Sequence, residues 1–161
     1  MIALLLATGI RRSEIVAITV DDYISKTGVL NIQSGKGDKQ RTAYLTSESK
    51  PVIKHWLSER GNAPGSLFNP ITKAGTIVNK ALTSQSIYDI IKQRSEQAKI
   101  ETVRPHDLSR TFVTRLLDAG VDINTTRQLA GHSDIQTTAR YDCRDQKSQQ
   151  KAVNRLMSWM S

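Results

Sequence analysis

Two hydrophobic periods alternate along the chain. Residues 2–7, IALLLA, are apolar and run into ATGIRRSEIVAI. Gly9 breaks or bends the backbone there, and Ser13 can cap a helix that continues through Ile15, Val16 and Ile18. The period then drops to two. VLNIQ (29–33) and RTAYL (41–45) alternate as strands do, and the glycine- and charge-rich SGKGDKQ between them predicts a β-hairpin. Helical spacing returns over residues 48–58, with Ile53, Trp56 and Leu57 apolar. GNAPG and NPITKAG make residues 60–82 a long surface loop. From Ser84 a helix places Ile87, Ile90, Ile91 and Ala98 on its buried stripe.

The C-terminal half is helical throughout. One helix runs from about His106 to Ala119 and ends at Gly120, a residue type suited to the C′ position. Asn124 or Thr125 starts another that ends near Gly131, and a short helix over 134–140 precedes Tyr141. In the tail, residues 145–161, Val153, Leu156, Met157 and Met160 share one face, the pattern of a helix that packs on something. The expected fold is mainly α with a small antiparallel β-hairpin or sheet, an α+β class. There is no internal repeat and no low-complexity segment.

Composition narrows the setting. With 161 residues and 38% hydrophobic content, the chain suits one domain with a real core. No apolar run reaches membrane-spanning length, so no membrane partner is expected. MIALLLATGI is too short to span and lacks a cleavage site, and it reads as a core helix. The single cysteine, Cys143, excludes an internal disulfide and a multi-cysteine zinc site, and fits a reducing cytoplasm. The net charge of +8 favours a polyanionic partner. Residues 1–60, 61–103 and 104–161 carry +3, +2 and +3. With no basic tail, a DNA partner must be gripped by a folded surface.

Four polar stretches stand out. Arg11–Arg12 open a helix, where a solvated helix end is the plain alternative. Lys36 lies in GKG, whose glycines permit close approach to another backbone, although an ordinary turn with a solvated lysine also fits. GKGDK lacks the spacing of a nucleotide-binding P-loop. The third stretch is RPHDLSRTFVTRLLDAG (104–120). At about 100° per residue, Leu108, Phe112, Val113, Leu116 and Leu117 form one apolar arc, Ser109 points into it, and Arg110 stands at its edge beside His106. Ser109 is then either a small packed residue or the lining of a polar cleft. The fourth is GHSDIQTTARYD. Singly, His132 reads as a capping or core histidine and Tyr141 as a half-buried aromatic. Together, two histidines, several arginines, a hairpin lysine and a tyrosine suit phosphoryl transfer. No cluster of Asp and Glu offers a two-metal site, so neither metal nor other cofactor is expected.

ATGIRRSEI, SGKGDKQR, PHDLSRTF and GHSDIQTTARY, in this order, resemble the catalytic domain of tyrosine recombinases, the phage-integrase and Xer-like family, over about residues 3–145. The resemblance implies site-specific DNA recombination, integration or excision, through a 3′-phosphotyrosine intermediate. It matches Arg11 to the first catalytic arginine, Lys36 to the hairpin lysine, His106 to the histidine of the second box, His132 to the histidine of the GH pair and Tyr141 to the nucleophile. The residue types fit such roles. A phenol attacks poorly at neutral pH unless a base or nearby cations favour phenolate. Guanidinium forks suit phosphate oxygens, and a lysine can protonate a leaving oxygen.

Two departures qualify the resemblance. The family's second box carries an arginine three residues after its histidine, and here that slot is Ser109, with Arg110 one position on. An uncharged Ser109 implies a strongly impaired enzyme unless Arg110 rotates in. The family also carries an N-terminal DNA-clamping domain, whereas this chain begins almost at ATG, which reads as a catalytic-domain fragment spanning 1–161. The implied partners are double-stranded DNA and further protomers; the 145–161 helix either docks on a neighbouring protomer, as such tails do in this family, or packs in cis. Lys39, Arg41 and Gln85 are further candidate DNA contacts. The alternatives are a non-catalytic DNA-binding or interaction module derived from a recombinase and, more remotely, a type IB topoisomerase domain.

Overall fold

Ten elements follow one another in a computed structural model that describes residues 1–33 and 40–142, together with 150, 153 and 154. The first helix, α1 (Ile2–Thr8), stops at Gly9, whose left-handed backbone (φ 59°) returns its N–H to the Leu5 carbonyl. The ring of Phe112 fills the space a Cβ at Gly9 would need, so this glycine is required both by conformation and by close approach. Helix α2 (Arg12–Ala17) follows. Its cap is Arg11, two residues earlier than the expected Ser13. Glu14 accepts the Arg11 backbone N–H at 2.8 Å, which satisfies an orphan donor at the helix start.

Strands β1 (Tyr23–Ile24), β2 (Val29–Ile32) and β3 (Arg41–Tyr44) form one antiparallel sheet in the order β1-β2-β3. The expected hairpin is β2–β3, with Leu30 opposite Ala43 and Ile32 opposite Arg41. The two-residue β1 is not legible in the sequence, being too short to show a period. The hairpin tip with Lys36 and Lys39 lies outside the described residues.

Helix α3 (Ser49–Arg60) buries Ile53, and its Trp56 indole N–H donates to the Leu67 carbonyl at 2.7 Å. That bond ties down the long loop, whose Leu67, Phe68 and Asn69 are buried. Helix α4 (Ser84–Gln97) is capped by the Thr83 hydroxyl, which accepts from the Ser86 N–H. Ile87 and Ile91 are buried as the stripe predicts, but Ala98 is exposed beyond the helix end. Ser95 takes the inward place; its hydroxyl donates to the Ile91 carbonyl and accepts from the Val103 N–H.

Helix α5 (Pro105–Asp118) opens with proline in its first turn. Leu108, Val113 and Leu117 are buried, and Phe112 and Leu116 half-buried, along the expected arc. Helix α6 (Ile123–Ala130) is capped by Asp122, which accepts from both the Asn124 and Thr125 N–H groups, and ends at left-handed Gly131. Helix α7 (Ile135–Ala139) is capped by Asp134 and leads to Tyr141. Of the expected tail helix, Gln150, Val153 and Asn154 have helical backbone, and the rest lies outside the described residues.

The main core joins α1, α2, the sheet, α3 and α4, with Leu4, Leu5, Ile10, Leu30 and Ile87 fully buried. Each such side chain contributes about 1.5–3 kcal/mol by leaving water. A second cluster of Val113, Leu117 and Ala130 joins α5 to α6, and Phe112, Ile123 and Tyr141 pack against it. The tyrosine ring is thereby held by apolar contacts, which leaves its hydroxyl to make the polar ones.

Candidate active site

Arg11 sits at the entrance to α2, with its guanidinium reaching a partner 120 residues along the chain. It donates to the Gly131 carbonyl at 2.6 Å and to Glu14 Oε1 at 2.9 Å. Glu14 is buried and takes a second cation: Arg41 donates to its Oε2 at 2.9 Å. Arg41 also donates to the Leu129 carbonyl at 2.8 Å. The two arginines therefore meet the carbonyl end of α6, where the helix dipole favours positive charge. Burial raises the Glu14 pKa, but the Arg11 backbone N–H and the Arg41 charge outweigh it, and the net shift is downward. Desolvation lowers that of Arg41, with Glu14 opposing.

This geometry corrects one expectation. The sequence makes Arg41 a candidate phosphate contact, yet its side chain is only 11% exposed and turned inward onto Glu14 and Leu129. Its neighbours on the hairpin give no sign of that, because the partners come from α2 and α6. Gln85, the other described candidate, stays exposed on the first turn of α4 and donates to Asp89 at 2.8 Å.

His106, one residue into α5, and Tyr141, just past α7, come together: Nε2 of His106 lies 3.2 Å from the phenolic oxygen. The ring of His132 is 6.4 Å from that of Tyr141. Arg127 donates to the His132 carbonyl, and Nδ1 of His132 lies 2.9 Å from the Thr138 hydroxyl. Desolvation lowers the His132 pKa, and the positive charges of Arg11 and Arg41 and the nearby His106 lower it further, which favours the neutral ring over the cation.

Ser109 and Arg110 separate. Ser109 lines a polar cleft of about 490 Å³ between the starts of α2, α4 and α5, with Arg11, Arg12, Tyr88, Arg104 and His106 among the other walls. Of the two readings of an inward serine, the structure shows the cleft lining. Its hydroxyl makes a long bond, 3.4 Å, to the Ile10 carbonyl. Arg110 is not in that cleft wall. Its guanidinium lies 5.6 Å from the centre of the Tyr141 ring, a cation–π contact worth about 0.5–1 kcal/mol at an exposed position.

Sequence reasoning passed over Glu14, Tyr88, Arg104 and Thr138. Glu14 had a signal in its spacing, three residues after Arg11, which is where a carboxylate reaches back to a helix start. Tyr88 and Arg104 had none, since only the fold brings α4 and the start of α5 to one cleft. Among the described residues, the cleft wall contains three arginines and a histidine and no carboxylate. Among the same residues, no group of three or more His, Cys, Asp or Glu side chains converges as metal ligands would, and no helix is long and apolar enough to cross a membrane.

The arginine-lined cleft thus has in its wall the histidine that meets the Tyr141 hydroxyl. Residues 1–148 match the model of the phage integrase family. The chain belongs to this family, as a tyrosine recombinase catalytic domain. It is 30% identical over 155 residues to the tyrosine recombinase XerA of Pyrococcus furiosus, covering 96% of this chain and 53% of that protein. It is 35% identical over 145 residues to XerD of Staphylococcus epidermidis, covering 88% and 48%. The crystal structure of a XerA recombinase superposes with a TM-score of 0.78 at 25% identity, over 95% of this chain and 55% of the other. A Tn1549 transposon integrase in complex with transposon right end DNA shares the fold at a TM-score of 0.75 and 20% identity, over 98% and 58%. The chain thus spans about half the length of the relatives it matches.

Proposed function

We propose that this chain is the catalytic domain of a site-specific recombinase that cleaves and rejoins double-stranded DNA one strand at a time, without metal, in the cytoplasm. The observation that carries the reading is the 3.2 Å contact between the Tyr141 hydroxyl and His106, set beside an arginine-lined cleft. The Tyr141 oxygen attacks the scissile phosphorus as His106 accepts the phenolic proton. The bond from phosphorus to the 5′-oxygen breaks, leaving a 3′-phosphotyrosine, and Lys36 supplies the proton to the departing 5′-hydroxyl. Arg11 and His132 donate to the non-bridging oxygens, where charge builds in the transition state. A 5′-hydroxyl from a partner strand reverses the steps, so bond energy is conserved in the phosphotyrosine. Further protomers on the same DNA supply that strand, with the 145–161 segment as the link between them.

Ser109 occupies a place in the cleft wall from which an arginine would face the phosphate, so strand cleavage is expected to be slow. A nicked suicide substrate tests both points. The expected result is a weak covalent adduct, lost in Tyr141→Phe and increased about 10²–10³-fold in Ser109→Arg, the usual worth of one oxyanion donor. No adduct even with Ser109→Arg overturns the enzyme reading. It would favour the second reading, a DNA-binding module derived from a recombinase, which the uncharged Ser109 itself supports.

A further inference from the structure

Thr138 is fully buried, and its hydroxyl has one hydrogen-bond partner among the described residues, Nδ1 of His132 at 2.9 Å. The direction of that bond follows from the two groups. A hydroxyl brings one hydrogen and two lone pairs; a neutral imidazole brings one N–H and one bare nitrogen. If Nδ1 carried the proton and donated it, the threonine hydrogen would be left in the interior with no acceptor, a state that buried polar groups avoid. If the threonine donates, its buried hydrogen is placed on Nδ1 and the imidazole hydrogen sits on Nε2, on the half-buried ring's other edge. A cationic ring would donate from Nδ1 and strand the threonine hydrogen in the same way, so the buried hydroxyl selects the neutral Nε2–H form, which is also the form that the surrounding positive charges favour.

We propose that Thr138 is a positioning residue that donates to Nδ1 of His132 and fixes the imidazole as its Nε2–H tautomer, leaving a donor on the ring edge opposite the buried hydroxyl. The rest of the local structure serves the same end. The His132 N–H is bonded to the Arg127 carbonyl at 3.0 Å and its own carbonyl accepts from Arg127 at 3.1 Å, while Arg11 holds the Gly131 carbonyl. The backbone is fixed on both sides, so the ring's remaining freedom is rotation, which the threonine bond stops. This rests on the recombinase reading only for what the Nε2–H is used for, donation to a phosphate oxygen. The tautomer itself stands on the geometry.

The test is a long-range ¹H–¹⁵N correlation spectrum of the ¹⁵N-histidine-labelled chain at neutral pH, with His132 assigned by His132→Gln. The expected pattern is a protonated Nε2 and an acceptor Nδ1, retained in Thr138→Ser and replaced by a tautomer mixture in Thr138→Val. A wild-type His132 protonated on Nδ1, or a Thr138→Val ring unchanged from wild type, overturns the proposal. Should Thr138→Val not fold, the wild-type spectrum alone decides. In the Ser109→Arg background, Thr138→Val should also lower the adduct rate about 10–100-fold, as loss of an orienting partner typically does, with Thr138→Ser close to the parent. Equal rates in the three proteins would refute the positioning role. Absence of any adduct tells against the recombinase reading, while the spectrum still decides the tautomer.

Discussion

Replacing Glu14 with glutamine removes one negative charge from between two arginines and turns one of its two accepting oxygens into an NH2 donor. At an effective dielectric of 20, a contact of 2.9 Å between unit charges is worth roughly 6 kcal/mol before desolvation, so the net must be argued from burial. The Arg11 side chain is 45% exposed, and its share is no more than about 0.5 kcal/mol. Arg41 is different. With 11% exposure and a buried Nε–H that has no partner among the described residues, its one acceptor there besides Glu14 is the Leu129 carbonyl. Breaking a buried pair costs about 3–5 kcal/mol; the amide oxygen of glutamine still accepts hydrogen bonds, which brings the expected loss to about 2–3 kcal/mol. The pH dependence has a definite sign. The folded-state pKa of Glu14 lies below its unfolded value, so its contribution is complete above the unfolded value of about 4.3 and disappears as pH falls through the folded one. Urea unfolding of wild type and Glu14→Gln should therefore differ most at pH 7 and converge at the acid end. A difference under about 0.5 kcal/mol at pH 7, or one that stays constant down to about pH 3, would show that the carboxylate is not the centre of this cluster.

Two further expectations concern the same region. Gly131→Ala places a Cβ against the Arg41 side chain at a backbone φ of +66°, whereas Gly75→Ala (φ +83°) meets nothing. Strain alone costs about 1–2 kcal/mol, so chemical unfolding should find Gly131→Ala the more damaging by at least about 1 kcal/mol; equal losses would mean that Arg41 moves aside freely. In the cleft, Arg12→Ala and Arg104→Ala should each reduce the slope of log affinity for DNA against log salt by about 1, as one lost phosphate contact does, and anisotropy titrations that return the parent slope would remove these arginines from the DNA path.

Much of this is visible in the sequence where the signal is local. The glycine stops at Gly9 and Gly131, the inward arc of α5 and the β2–β3 hairpin each depend on residues a few positions apart, and each is where the pattern puts it. The four motifs are legible for the same reason. What escapes sequence reasoning depends on distant partners. Arg41 looks like a solvated strand residue until α6 arrives beside it; Ser95 replaces Ala98 on the buried face because Val103 returns its N–H to that hydroxyl. Thr138 reads as one of two threonines in a short helix, and only the position of the His132 ring distinguishes it.

The contacts that shape the site span 120 residues between Arg11 and Gly131, 99 between Ser109 and Ile10, and 88 between Arg41 and Leu129. Contacts this far apart in sequence close late, after the loop entropy between them has been overcome. A growing or partly unfolded chain thus has the arginines of the cleft apart from His106 and Tyr141, and the whole arrangement exists only in the finished fold.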